Sequence, residues 1–307
     1  MKRFIEKDDT VVDTLTGLMW TQDAALGEFP MAWQEGLDAI QALNHSKLFG
    51  YDDWKLPNRR ELFSLVSYDY INPSLPVEHP FIHVFTGYYW TSTSCSRAPN
   101  QAWYIHFGGA RVFKGMKHRS YMVWPVRKAN DYEVTIFQTG QQHCYDENGR
   151  MIPCHDTGQD GALRSGLSWS NPRFIESDDT VFDRLAELIW MKNANLTVRA
   201  IDWETAFDVV KGMNRGKKYG YNDWRIPNIL ELESLTDMGR HSPALPAGNP
   251  FEDVQEYYWA STTSKYDNRY AWVLYLKDGG LGVGYKPLSE FFIWPVRGGK
   301  TGHTKMA

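Results

Sequence analysis

The chain has 307 residues, 42% of them hydrophobic and 23% charged, which excludes a disordered chain and a coiled coil and provides core material for one large or two ordinary domains. The net charge is −4, and basic and acidic residues number 13 and 13 in 1–127, 3 and 6 in 128–172, and 17 and 18 in 173–307, so neither half is basic and a dedicated nucleic-acid protein is not expected. No apolar run is long enough to cross a bilayer.

In chain order, Met1-Lys2-Arg3 looks like the start of a signal peptide, but Glu6-Lys7-Asp8-Asp9 stands where the apolar stretch belongs. Thr10 to Val12 read as a short strand, Asp13 to Gly17 as a turn, and Leu18 to Trp20 as a returning strand. Trp33, Leu37, Ile40 and Leu43 fall at helical spacing, with Pro30 placed in the first turn. Asn58 and Glu61 form a capping box that opens a second helix; capping explains the spacing without making Glu61 a catalytic acid. Tyr88 to Thr93, Ala102 to Phe107 with the Gly108-Gly109 turn, and Tyr121 to Arg127 read as antiparallel strands. The pattern is α+β: two helices and a twisted antiparallel meander.

That pattern occurs twice. Arg3-Phe4-Ile5-Glu6 returns as Arg173-Phe174-Ile175-Glu176, and over 50–65 against 220–235 ten of sixteen residues are identical. Tyr88-Tyr89-Trp90 returns as Tyr257-Tyr258-Trp259, and Trp124-Pro125-Val126-Arg127 as Trp294-Pro295-Val296-Arg297. The domains are therefore 1–127, a connector 128–172, a second repeat 173–299, and a tail 300–307. Trp20, Trp33, Trp54, Trp90, Trp103 and Trp124 each have a partner in the second copy, which assigns most of them to the core rather than to sugar-stacking platforms. Thr16-Gly17 becomes Ala186-Glu187, which predicts a changed turn there.

In the connector, Thr139-Gly140-Gln141 recurs as Thr157-Gly158-Gln159, and no such segment precedes the first copy. Between them, Asn148-Gly149 predicts a two-residue hairpin that brings Cys144 and Cys154 within disulfide reach, given one bulge. Zinc held by these cysteines with His143 and His155 is awkward, because adjacent strand residues face opposite ways. Calcium on Asp146, Asp156 and Asp160 lacks the regular ligand spacing of a calcium loop, so the expectation is no cofactor, with calcium as the weaker alternative. A disulfide in an oxidising compartment is preferred, leaving Cys95 as an unpaired thiol.

The copies agree in strands and helices and differ at 95–101 against 264–270 and at 110–120 against 280–290. These loops are expected to cluster at one end of the meander. The first copy would present Arg97, Arg111, Lys114, Lys117, His118 and Arg119, a basic surface for an anionic glycan; the second would present Tyr266, Asp267, Asn268, Arg269, Tyr285 and Lys286. A merely solvated charged surface is the competing explanation. Hydrolase, metalloprotease and phosphate-loop motifs are absent, and Gly280 to Gly284 lies in a late hairpin rather than opening a helix.

Asp13-x-x-Thr16-Gly17-Leu18-x-Trp20, Gly50-Tyr51-x-Asp53-Trp54-Lys55-Leu56-Pro57-x-x-x-Glu61-Leu62, Tyr89-Trp90-Thr91-Ser92-Thr93, Ala102-Trp103-x-x-x-Phe107 and Pro125-Val126-Arg127 resemble the family named for the C-terminal domain of the Legionella collagen-like adhesin (Lcl). The second copy matches at Gly220 to Leu232, Tyr258 to Thr262, Ala271-Trp272 and Pro295-Val296-Arg297. The chain departs at Ala186-Glu187, and Lys55 stands where Arg is usual. The resemblance implies a C-type-lectin-like fold in each copy, related to the formylglycine-generating enzymes, and surface or secreted binding modules, some of which take sulfated glycans. Those enzymes use a cysteine pair late in the domain; only Cys95 is found there, so their chemistry is not expected. The expectation is an extracytoplasmic, non-catalytic binding protein for a glycan or cell-surface protein, with homo-oligomer formation open and a structural or assembly subunit as the alternative.

Overall fold

A computed structural model describes residues 2–298; residue 299 and the 300–307 tail lie outside the described residues. The chain divides into two compact units at Ser168/Trp169. Most of the connector, residues 128–168, belongs to the first unit.

The first unit opens with β1 (Phe4–Lys7), β2 (Thr10–Asp13) and β3 (Leu18–Thr21), followed by α1 (Trp33–His45) and the short α2 (Arg59–Phe63). Then come β4 (Tyr88–Ser94), β5 (Gln101–His106), β6 (Arg111–Met116) and β7 (Val126–Lys128). There are two sheets rather than one meander: β1-β2-β3-β7 in that order, and the hairpin-linked β4-β5-β6. The helix α1 begins beyond Pro30, with Ala32 as its cap and the Glu35 carboxylate accepting the Ala32 amide at 2.8 Å. Pro30 therefore lies outside the first turn. The Asn58 side chain accepts from the Glu61 amide and the Glu61 carboxylate accepts from the Asn58 amide, both at 2.9 Å. Lys55 takes the other Glu61 oxygen, so this carboxylate is committed to architecture.

Tryptophans fill the centre, and several of them find a carbonyl for their single donor. Trp33 Nε1 donates to the Thr91 carbonyl at 2.7 Å, Trp90 to Met31 at 3.1 Å and Trp124 to Thr21 at 3.0 Å. All six tryptophans of the first copy are buried.

The connector folds back onto this unit as β8 (Cys144–Tyr145), β9 (Met151–Ile152) and the single turn α3 (Asp160–Leu163). Cys144 and Cys154 are joined, with Cα atoms 5.2 Å apart. The hairpin loop is longer than the two residues expected. Asp146 accepts from the Asn148 and Arg150 amides at 2.9 and 2.8 Å, and Gly149, at φ +83°, takes the left-handed position. Farther upstream the connector runs against Gly17, where the Thr135 amide donates to the Thr16 carbonyl at 3.1 Å. A side chain on Gly17 would overlap the Glu133 carbonyl. At the far end, buried Asp160 accepts from the hydroxyls of Thr93 and Thr139 at 2.7 and 2.6 Å.

The second unit repeats the scheme with β10 (Phe174–Glu176), β11 (Thr180–Asp183), β12 (Leu188–Met191), α4 (Trp203–Arg215), α5 (Ile229–Ser234), β13 (Tyr257–Thr263), β14 (Tyr270–Tyr275), β15 (Gly280–Tyr285) and β16 (Val296–Gly298). The two units are thus tandem α+β domains. Asn228 and Glu231 form the second capping box, and Arg225 grips Glu231 through two bonds of 2.6 Å. The Ala186-Glu187 turn is not reshaped: Glu187 has φ +55° where Gly17 has +71°. What changes is the space above it. Gly17 leaves room for the chain at residues 133–135, whereas the second copy has a side chain, that of Glu187, at this position.

Replacing Gly17 with Glu should therefore displace the connector while the turn survives. Overpacking of this kind costs about 1–3 kcal/mol. The expected outcome is faster tryptic cleavage after Arg150 and Arg164, with Glu187→Gly unaffected. Burial pushes the Asp160 carboxyl up to about 6, partly opposed by the two threonine bonds. A raised folded pKa means stability fully present below about pH 4 and lost as pH rises through 6. Asp160→Asn, which mimics the neutral acid, should gain on the wild type across that window by on the order of 3 kcal/mol and hold a constant lead above pH 7. Denaturant titrations of both proteins at several pH values check this.

Candidate functional site

Strand register decides which side chains meet on the outward face of β4-β5-β6. Tyr88 pairs with His106, and His106 with Arg111, forming one cross-strand row. Trp90, Tyr104 and Phe113 form the next row. Ala102 and Gly115 form a third, and the missing side chain of Gly115 admits Tyr121, whose Oη would lie 2.7 Å from a Cβ there. Tyr121 packs its ring 4.3 Å from Trp90, 5.0 Å from Tyr88 and 5.2 Å from Tyr104, and Tyr88 sits 4.8 Å from His106. Residues between these in sequence, Tyr89, Trp103, Ile105 and Val112, point inward and are buried.

Trp90 and Ala102 on this face are fully buried in the core with Trp33 and Leu37, and the rings around them form an aromatic surface that is open at its margin. Tyr88 is 40% exposed and Phe113 39%, while Tyr104, Tyr121 and His106 are half-buried. Arg111, exposed, stands at one edge close enough to influence His106 and Tyr104; Arg119, also exposed, bears on Tyr121. Burial, reinforced by its tyrosine neighbours, pushes the Tyr104 hydroxyl up to about 12, and burial raises Tyr121 as well. Burial and then Arg111 lower His106, which keeps its ring neutral at pH 7. The surface therefore offers flat rings, phenolic donors and two guanidinium groups.

The expected loop cluster does not form as drawn. Arg111 opens β6 and Lys117 follows its end, so six residues, or about 20 Å of strand, separate them. Arg97, His118 and Arg119 are exposed at the Lys117 end. Lys114 is half-buried, with its ammonium 4.5 Å from the Phe113 ring and 5.5 Å from the Trp103 ring. Lys117 is 1% exposed: its ammonium lies 3.8 Å above the Trp33 ring and donates to the Tyr145 and Asp146 carbonyls at 3.0 and 3.2 Å. Burial holds it down to about 7. It is a buried clamp on the connector and no part of an open surface. Lys286 occupies the same position in the second unit, 4.0 Å above Trp203, so this lysine is shared framework rather than divergence.

In the second unit Tyr266 is 72% exposed, Asn268 and Arg269 are exposed, and Tyr285 is half-buried against Tyr270, 5.3 Å away. Arg269 is held by Asp267 at 2.6–3.1 Å, and that guanidinium pulls the Asp267 carboxyl down to about 2. The outward face is reduced. Its rows read Tyr257–Tyr275–Gly280 and Trp259–Val273–Gly282, with Phe291 in place of Tyr121 and 7% exposed. Tyr275 leans into the space left by Gly282, 2.6 Å from where its Cβ would lie.

Sequence reasoning missed Tyr88, Tyr104, His106, Phe113 and Tyr121. The available signal was two-residue alternation within the strands, combined with the copy differences Tyr104/Val273, His106/Tyr275 and Arg111/Gly280. Among the described residues no three His, Cys, Asp or Glu side chains converge as a metal site. Asp146 caps its hairpin loop, exposed Asp156 pairs with His155 at 2.6 Å, and Asp160 is buried against threonines. No helix among the described residues is long and apolar enough to cross a membrane.

Residues 9–127 and 179–297 each match the sequence model of the Lcl C-terminal domain. No curated protein matches the chain.

Proposed function

The chain belongs to the Lcl C-terminal domain family, which it matches twice, and on that footing we propose that it is a non-catalytic binding protein whose first unit recognises an anionic glycan. The observation that carries this reading is the outward face of β4-β5-β6, where Tyr88, Tyr104 and Tyr121 expose ring surface between Arg111 and Arg119. Sugar rings present C–H faces that pack on aromatic rings. A sulfate or uronate on the same sugar takes two parallel bonds from a guanidinium. The phenols of Tyr104 and Tyr121 keep their protons and donate to ring hydroxyls. The carboxylates best placed to resemble catalytic acids, Glu61 and Glu231, cap helices and hold Lys55 and Arg225. The disulfide supports an extracytoplasmic location, where such glycans occur.

A panel of immobilised sulfated and uronate-containing oligosaccharides tests the reading. Binding is expected at low salt, falling as ionic strength rises. Tyr88→Ala and Arg111→Ala should each weaken it about tenfold, roughly 1.4 kcal/mol, with the melting temperature unchanged in Arg111→Ala and lowered in Tyr88→Ala, whose ring packs on Tyr104, His106 and Tyr121. Affinity should stay level from pH 7 to 9, since His106 is already neutral and Tyr104 titrates far higher. The bound glycan should be recovered uncleaved. Failure of every acidic glycan to bind, or full affinity in both variants, defeats the proposal.

A further inference from the structure

The connector satisfies a defined set of groups in the first unit. Lys117 donates to the Tyr145 and Asp146 carbonyls, Thr93 to Asp160, and Asn58 Nδ2 to the Ser165 carbonyl at 3.1 Å. Gly158 rests 3.6 Å from Leu37 at the position a Cβ would take, and Trp33 beneath is fully buried. The second unit keeps the groups: Lys286, Thr262, Asn228, and the aromatic pair Trp203 and Phe207 at 4.5 Å. Here they are open. Trp203 and Phe207 are half-buried rather than buried, as are Ser261, Thr262 and Thr263, whose counterparts Ser92, Thr93 and Ser94 are buried. Among the described residues, no acceptor takes the Thr262 hydroxyl or Asn228 Nδ2, and Lys286 finds only the Thr263 hydroxyl, at 2.9 Å.

We propose that this surface of the second unit docks, in trans, a disulfide-closed acidic hairpin of the connector type. Charge selects the occupant. The connector carries three basic and six acidic residues, and its tip is Asp146-Glu147-Asn148-Gly149. In the first unit that tip lies against Asn100, and Gln41 donates to the Asp156 carbonyl at 3.0 Å. The equivalent positions in the second unit are Arg269 and Lys211, both exposed, so two cations stand where the acidic parts of the hairpin fall, while Asp202 and Glu204, in place of Ala32 and Gln34, add acidic charge beside Lys286 at the start of α4. Asp267 and Asp208 now pair with them, exposed bridges that a docking partner exchanges at little cost.

The test uses the full chain and an oxidised synthetic peptide of residues 137–165, dye-labelled, followed by fluorescence anisotropy. Saturable one-to-one binding is expected. It should fall at least about tenfold in Lys286→Glu, since a buried ammonium–carbonyl contact is replaced by repulsion, and fall similarly when the peptide is reduced and loses its preorganised hairpin. Arg111→Ala should leave it unchanged, which separates this surface from the glycan face. No binding at millimolar peptide, or equal affinity for Lys286→Glu, overturns the proposal.

Discussion

A lysine ammonium resting on a tryptophan face governs what each half of this protein is able to do. In the first unit Lys117 lies on Trp33 beneath the connector and is almost wholly removed from water. A ring face gives a desolvated cation about 2 kcal/mol, less than the several kcal/mol lost with hydration. The Tyr145 and Asp146 carbonyls recover part of the difference, and burial still holds the ammonium down to about 7, which couples the hairpin to the lysine. The disulfide closes that hairpin, and Asp160 and Gly17 secure its two flanks. In the second unit Lys286 keeps the ring and is half-buried, and among the described residues no hairpin lies over it.

Features set by residues near in sequence were legible without coordinates. The capping boxes at Asn58 and Asn228 span four residues and are fully determined by them. The repeat offset located the tryptophans, and all but half-buried Trp203 are core. The cysteine pairing followed from a short hairpin, although its loop is set by the Asp146 side chain rather than by Asn148-Gly149 alone. Contacts distant in sequence were not legible. Lys117 resembles its exposed neighbours His118 and Arg119 until the connector is seen above it. Arg111 and Lys117 look adjacent in sequence but stand at opposite ends of a strand. The aromatic face depends on the registers of three strands and on an absent side chain at Gly115, which no single stretch records.

Differences between the copies have two physical origins, and neither reduces to surface against core. Gly17 and Glu187 share a left-handed backbone conformation, and Gly17 lies directly under the Glu133 carbonyl, where a side chain has no room. Arg60 donates to the Gln138 carbonyl at 2.7 Å, whereas the second copy has Leu230 at this position. These positions diverge because the first unit contains an internal interface. Tyr104 and Val273, His106 and Tyr275, and Arg111 and Gly280 diverge within matched strands on a face that the connector leaves alone.

The second kind of difference needs a separate cause, and the glycines indicate it. Placing Gly280 and Gly282 in a strand weakens it through lost packing and extra chain entropy. In the second unit this yields a face where Tyr275 lies flat over Gly282 and Phe291 is nearly covered. The first unit instead fills those strand positions with Arg111 and Phe113 and leaves Phe113 two-fifths exposed. Stability alone does not account for both solutions on one backbone, since the second shows that the framework closes over its rings when the residues permit. An open row of tyrosines flanked by arginines is the arrangement that a ligand with flat apolar faces and negative charge would complete, as the hairpin completes the lysine at the other end of the strands.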